Sequence, residues 1–209
     1  MMVTTRPSHG RQKGPTMQYH FDAALPSGFT LDAFRAAVES RGAQFAHHLP
    51  RGPRQLEEWI WTMEDGRSGI RHVYDHFVDV AFTRVESETF GRPADLMYEL
   101  ESALPFEYTG ALLKQTASPD PAVRAHGVRA LAVTTPSFRI DVFGAIHSAL
   151  FDGDPRIRGT AMKAIARWPY ERFALDLDKL AETEEVAELQ REAVRLAGDL
   201  RAHGRRGMR

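Results

Sequence analysis

Asp120-Pro121-Ala122-Val123-Arg124 recurs 34 positions later as Asp154-Pro155-Arg156-Ile157-Arg158. At the same offset Arg129 matches Lys163, Ala130 matches Ala164, Leu131 matches Ile165 and Ala132 matches Ala166. Each element of the match has a physical reason. An aspartate at the N-cap accepts the free amides of a first helical turn, and its charge suits the helix dipole. The proline that follows is already set to helical φ and loses no hydrogen bond at that position. Val123, Val128 and Leu131 then make one apolar stripe, and Ile157, Met162 and Ile165 make its copy. Gly127 and Ala161 are small enough to let a neighbouring helix come close. A third, degraded copy lies 32 positions further on, where Leu189, Ala193, Val194 and Leu196 keep the spacing but the Asp-Pro pair and the arginine are gone. Terminal repeats of a stack are commonly atypical.

Partner helices are predicted between the copies, over Tyr108–Thr116, Phe138–Phe151 and Glu171–Ala181, so residues 105–202 read as three helical hairpins. The pattern of Asp-Pro, then Val or Ile, then Arg, then small and aliphatic residues resembles the HEAT family in its short form, known from bacteria. The period is shorter than the ~40–47 residues of standard HEAT and armadillo units. It equals the tetratricopeptide period, but the Trp, Leu-Gly and Tyr positions of that motif are absent, as is the ankyrin Thr-Pro-Leu-His. The resemblance implies an all-α solenoid whose extended surface binds other molecules without catalysis. Short HEAT repeats also resemble those of bilin lyases, which keeps a lyase-like enzyme as a third reading.

Upstream of Pro105 the periodicity changes. Met17–Leu25 alternates as a strand, and Thr30 caps an amphipathic helix carrying Leu31, Phe34 and Val38 that stops at Gly42. Ala43–His48 reads as a short strand and Leu49–Arg54, with two prolines and a glycine, as loop. Trp59, Trp61 and Met63 alternate with Ile60 and Thr62. Glu64-Asp65-Gly66 is a turn, Ile70–Tyr74 another strand, and Asp75-His76 the predicted two-residue tip of a hairpin. In Phe77–Val85, Val78, Val80 and Phe82 share a face. Pro93 opens a helix whose stripe is Leu96, Met97, Leu100 and Leu104. Residues 17–104 are thus predicted to form an α+β domain, one antiparallel sheet with two helices on a face, and the helix Pro93–Leu104 to cap the first hairpin of the solenoid. Residues 1–16 carry Arg6, Arg11 and Lys13 and no acid, which predicts a disordered basic tail and makes Met17 a candidate start. A second disordered tail is expected over 203–209.

Composition narrows the function classes. The chain of 209 residues is 43% hydrophobic and 26% charged, with a formal net charge of −1 and no cysteine. Disulfides, thiolate metal sites and cysteine nucleophiles are excluded. No apolar run approaches the ~20 residues of a membrane span, and no signal-peptide core begins the chain. A cytoplasmic protein without a membrane partner is expected. No phosphate-binding Gly-rich loop, Gly-x-Ser-x-Gly or His-Glu-x-x-His motif is present, so neither a catalytic residue nor a cofactor is predicted.

The chemistry-bearing clusters mostly have simpler readings. His72 and His76, flanked by Asp75 and Asp79, are spaced for a metal on a helix, but in β-rich sequence they read as a polar hairpin tip. Asp152-Gly153-Asp154 lacks the other ligands of a calcium loop. His47, His48, Arg51 and Arg54 could hold a phosphate, but a solvated basic loop is the simpler reading. Trp59 and Trp61 are expected to pack the sheet on a helix, and Trp168, near the end of the second repeat, to cap the superhelix core.

The remaining signal is electrostatic. Residues 118–170 hold seven bases against four acids, a net of +3, and residues 171–202 reverse to −4. The candidate binding residues are Arg124, Arg129, Arg156, Arg158, Lys163 and Arg167. They suit another protein with an acidic patch; nucleic acid or a phosphate ligand is the alternative, opposed by the neutral total charge. Arg124 and Arg158 follow Asp120 and Asp154 by four residues, and a structural pairing with their own capping aspartate or with that of the adjacent hairpin competes with any binding role.

Overall fold

The computed structural model describes residues 19–53 and 55–206, the last four of them through the backbone alone. The expectation for residues 1–16 therefore falls outside the described residues. In chain order the elements are β1 (Tyr19–Ala24), α1 (Leu31–Glu39), β2 (Gln44–Leu49), β3 (Leu56–Thr62), β4 (Ser68–Asp75), β5 (Val80–Ser87), α2 (Arg92–Leu100), α3 (Thr109–Gln115), α4 (Pro121–Thr134), α5 (Ile140–Leu150), α6 (Pro155–Arg167), α7 (Phe173–Thr183) and α8 (Ala187–Arg206). Helix α8 runs past Ala202, where the solenoid was expected to end, and residues 207–209 lie outside the described part.

The five strands form one antiparallel sheet in the order β1-β5-β4-β3-β2. One face carries α1 and α2. Ala23, Trp61, Ile70 and Val85 from the strands bury against Phe34 and Val38 of α1 and Leu96, Met97 and Leu100 of α2. Trp61 is fully buried and its indole N–H donates to Glu39 of α1 at 3.1 Å. Thr30 caps α1 as predicted, accepting the Ala33 amide.

The other face meets the solenoid. Ala24, Val78 and Val80 join the core built by Leu112, Val128, Leu131 and Ile146, and α4 packs directly on β1 and β5. The sheet, not α2, therefore covers the first hairpin. The reason is that the apolar stripe of α2, with Leu104 beyond its end, is already used up against Val85 and Ile70 on the opposite side. The β4–β5 connection is also longer than the predicted tip, spanning His76–Asp79. The carboxylate of Asp75 accepts the Phe77 and Val78 amides, Asp79 donates back to the Asp75 carbonyl at 2.7 Å, and Asp79 sits at φ 59°. His72 is consequently mid-strand and buried against Phe34 instead of standing at a polar tip.

Three hairpins follow, α3/α4, α5/α6 and α7/α8. Asp120 and Asp154 cap α4 and α6 by accepting the Ala122 and Arg156 amides, each at 2.8 Å. Gly127 explains the close approach of α3 and α4, because a Cβ there would stand 2.9 Å from the Leu112 carbonyl oxygen and from Gln115 Cβ. Trp168 is buried and stacks on Phe138 with ring centroids 6.0 Å apart. The stripe has two departures from expectation: Val123 is partly exposed and Val194 faces solvent.

Candidate interaction surface

Four of the six candidate cations are tied into the scaffold. Arg158 makes two parallel hydrogen bonds to the buried carboxylate of Glu184, both at 2.6 Å, and donates to the carbonyls of Asp152 and Gly153. Arg124 repeats the arrangement one hairpin earlier. It donates to the carbonyls of Ser118 and Pro119 and forms an ion pair with Asp152 at 3.2 Å. The expected pairing with the capping aspartates is thereby corrected. Asp120 and Asp154 face their own first-turn amides, and the arginines reach forward to the turn before the next hairpin's second helix.

The acceptors are equivalent by position. Ser118 accepts the Asp120 amide, Asp152 the Asp154 amide and Glu184 the Val186 amide. Each carboxylate in this ladder therefore closes its own turn and holds the arginine of the preceding repeat. The Arg158 bonds hold the Glu184 carboxyl below the usual carboxylate range against the opposing pull of burial. The ladder ends at Gln190, which stands where the third arginine would be and donates to the Ala181 carbonyl.

Arg129 and Arg167 bind the solenoid to the sheet. Arg129 donates to Asp79 at 3.1 Å, and Arg167 approaches the fully buried Asp75 carboxylate at 2.7 Å as an ion pair. His126 of α4 adds a bond to Glu107 at 2.7 Å. Glu107 is pushed up by burial, but the bonds from His126 and Gln115 outweigh that and leave it lowered. Arg156 and Lys163 remain, both exposed and without an ion pair among the described residues. Seven residues apart on α6, they share a face about 10 Å apart along the axis.

The histidine clusters rearrange. Glu57 receives His48 at 2.8 Å and His76 at 2.9 Å on its two oxygens, and these contacts, the His76 bond foremost, lower its pKa. His47 does not join them, and Arg51 bonds Gln55. A cavity of about 480 Å³ lies beside this group, lined by Phe29, Trp59, His72, Tyr74 and His126. Both ring nitrogens of His72 are buried without a partner, and burial pushes its pKa down to about 4, so the ring is neutral at pH 7. Neither the cavity nor the Glu57 bridge was visible in the sequence, because Glu57, His48 and His76 meet only through strand register. Among the described residues no three His, Asp or Glu side chains converge on a metal position.

Residues 109–198 match the family model for HEAT repeats. The HEAT-repeat segment covers all three hairpins up to the last turns of α8, as the Asp-Pro-x-Val/Ile-Arg signature implied. The N-terminal α+β domain is matched by no family model. No curated protein and no solved structure matches the chain. HEAT repeats in general serve as protein-interaction scaffolds and are typically non-catalytic. No helix of the described residues is long and apolar enough to cross a membrane.

Proposed function

We propose that the chain is a non-catalytic adaptor that holds a protein partner on a rigid platform made of the HEAT-repeat segment and the α+β domain together. One observation carries this reading. Arg124, Arg129, Arg158 and Arg167 are engaged in joining repeat to repeat and repeat to sheet, so the basic stripe is mostly a fastening. A surface for polyanions would keep those charges free. For an acidic patch on the partner, Arg156 and Lys163 are the cations on offer, one pair on one face of α6. Such a pair sets orientation and association rate more than affinity. The cytoplasm is the compartment that suits a cysteine-free adaptor of this kind.

The test is affinity capture by the immobilised full-length chain from extract of its own cells, with nuclease treatment, followed by reconstitution from purified components. The expected result is a stoichiometric complex with one protein, weakened by the Arg156→Glu, Lys163→Glu double variant. Retention of nucleic acid alone, or of nothing, overturns the proposal.

A further inference from the structure

Strand β1 is an edge of the sheet, and its hydrogen-bonding phase is fixed by its last residues. The Ala24 amide donates outward to the Glu107 carbonyl at 3.3 Å, and the Glu107 amide donates back at 2.9 Å. Leu25 instead donates inward to Ala81 of β5. Alternation then turns the amides and carbonyls of Phe21 and Ala23 toward β5 and those of His20 and Asp22 outward. Among the described residues nothing bonds His20 or Asp22 on that side. Glu107 is in effect the first residue of an antiparallel sixth strand, which ends at once because the chain turns into α3.

A cleft lies on each side of this free edge. On the solenoid side, about 400 Å³ opens between His20–Asp22, Tyr108 and the α4–α5 loop Thr135–Ser137. Thr135, itself 4% exposed, lines this cleft, and its buried hydroxyl has no hydrogen-bond partner. On the α2 side, Tyr19, Phe21, Phe90 and Pro93 line a second cleft. Phe90 is 83% exposed, and Tyr19 packs edge-on against it at 5.4 Å. A free strand edge flanked by exposed aromatics is a template for strand addition. The opposite edge, β2, is interrupted by a bulge between Phe45 and His47, whereas β1 keeps unbroken register with β5.

We infer that β1 takes an extended peptide segment of the partner as an antiparallel sixth strand, alternating uncharged polar with apolar side chains. The inference rests on the adaptor reading and names the surface. Residues opposite His20 and Asp22 point to the solenoid side, as Ala24 does. There the charged groups Asp22, Glu107 and Arg139 already have their own partners in Arg84, His126 and Asp141, so the cleft offers uncharged polar surface to a new strand. Short hydroxyl or amide side chains fit that cleft. The residue opposite Phe21 points to the α2 side and lies over Phe21 and Phe90, where an aliphatic side chain fits.

The probe is a blocked peptide alternating threonine with valine, made soluble by a terminal lysine, added to the full-length chain. Amide hydrogen exchange read by NMR should show the His20 and Asp22 amides fast in the chain alone and slowed about tenfold or more with peptide. The same peptide N-methylated on the amides that face β1 should not bind. His20→Pro removes one outward N–H and leaves the β5 ladder intact, a change edge strands tolerate. It should keep the fold and lose the peptide. Phe90→Ser, which touches no backbone bond, should weaken the peptide independently. No slowing at saturating peptide overturns the inference. So does protection of His20 and Asp22 already present without peptide, whether in a monomer or in a dimer paired through β1. A partner captured by the chain that binds His20→Pro and Phe90→Ser as well as the unaltered protein would sink the edge assignment while leaving the adaptor reading in place.

Discussion

Replacing Arg158 with alanine leaves the Glu184 carboxylate buried and deprived of both its guanidinium bonds. The Arg158 side chain is 15% exposed and that of Glu184 0%. An exposed pair contributes about 0–1 kcal/mol, whereas breaking a buried pair by removing one partner costs about 3–5 kcal/mol. The residual exposure of the guanidinium sets the expected loss near the lower end of the second range, about 3 kcal/mol. For a chain of this size, that corresponds to a Tm lower by about 6–12 °C. The pH dependence identifies the cause. In the unaltered protein Glu184 is held below its ordinary 4.5, so its contribution is present above that value and lost as pH falls through the folded pKa. In Arg158→Ala that contribution is gone, so the difference between the two proteins is full at pH 7 and shrinks as acid protonates Glu184 in the unaltered protein. Differential scanning calorimetry at pH 7 and near pH 4 should show the gap between the two proteins narrowing. Glu184→Gln added to Arg158→Ala should cost less than the sum of the two single changes. An Arg158→Ala variant with unchanged Tm and lost partner binding would refute the ladder as a structural device and make the arginine part of the binding surface.

Other expectations follow from the same contacts. Arg156→Ala and Lys163→Ala should each change stability by no more than the roughly ±0.5 kcal/mol typical of surface changes, read by thermal melts. Gly127→Ala should destabilise by about 1–3 kcal/mol despite alanine's better helix propensity, because its Cβ would collide with the Leu112 carbonyl; a raised Tm would contradict the close packing of α3 on α4. His72 is neutral when folded, so its contribution is complete above the unfolded value of 6.5 and lost as pH falls toward about 4. That gap corresponds to about 3 kcal/mol when fully expressed. His72→Leu should remove it, flattening the Tm profile between those limits relative to the unaltered protein. Limited proteolysis should release no stable fragment beginning near Phe106, since Ala24, Val78 and Val80 supply part of the solenoid core; recovery of a folded fragment would show that the halves are independent.

The repeats were legible because their rules are local. Asp-Pro fixes a helix start by capping and φ, and the stripe of Ile157, Met162 and Ile165 needs only helical spacing to be recognised. The strands were legible through the alternation around Trp59 and Trp61. What could not be read was anything set by register or by contacts distant in sequence. Glu57 of β3 meets His48 of β2 and His76 just beyond β4, and Asp75 meets Arg167 across 92 positions. The β4–β5 connection is longer than the sequence predicts because Phe77 and Val78 look like strand residues. Val78 is apolar for another reason, since it enters the solenoid core from a loop. Arg124 and Arg158 do reach the adjacent hairpin, one of the two pairings their spacing allows, but their acceptors are Asp152 and Glu184 in the turn before its second helix and not its capping residue.

The most direct test of the account is the salt dependence of the reconstituted complex, measured by isothermal titration calorimetry from low to high ionic strength. If the basic stripe is a fastening, only Arg156 and Lys163 of its six cations are left to contribute charge to the interface. Affinity should then fall only weakly with salt, and Arg156→Glu with Lys163→Glu should abolish the remaining slope. A steep linear fall of log affinity with log salt, of the kind that six or more released counterions produce, would contradict it. That result would mean that Arg124, Arg129, Arg158 and Arg167 leave their carboxylates to bind an anionic partner.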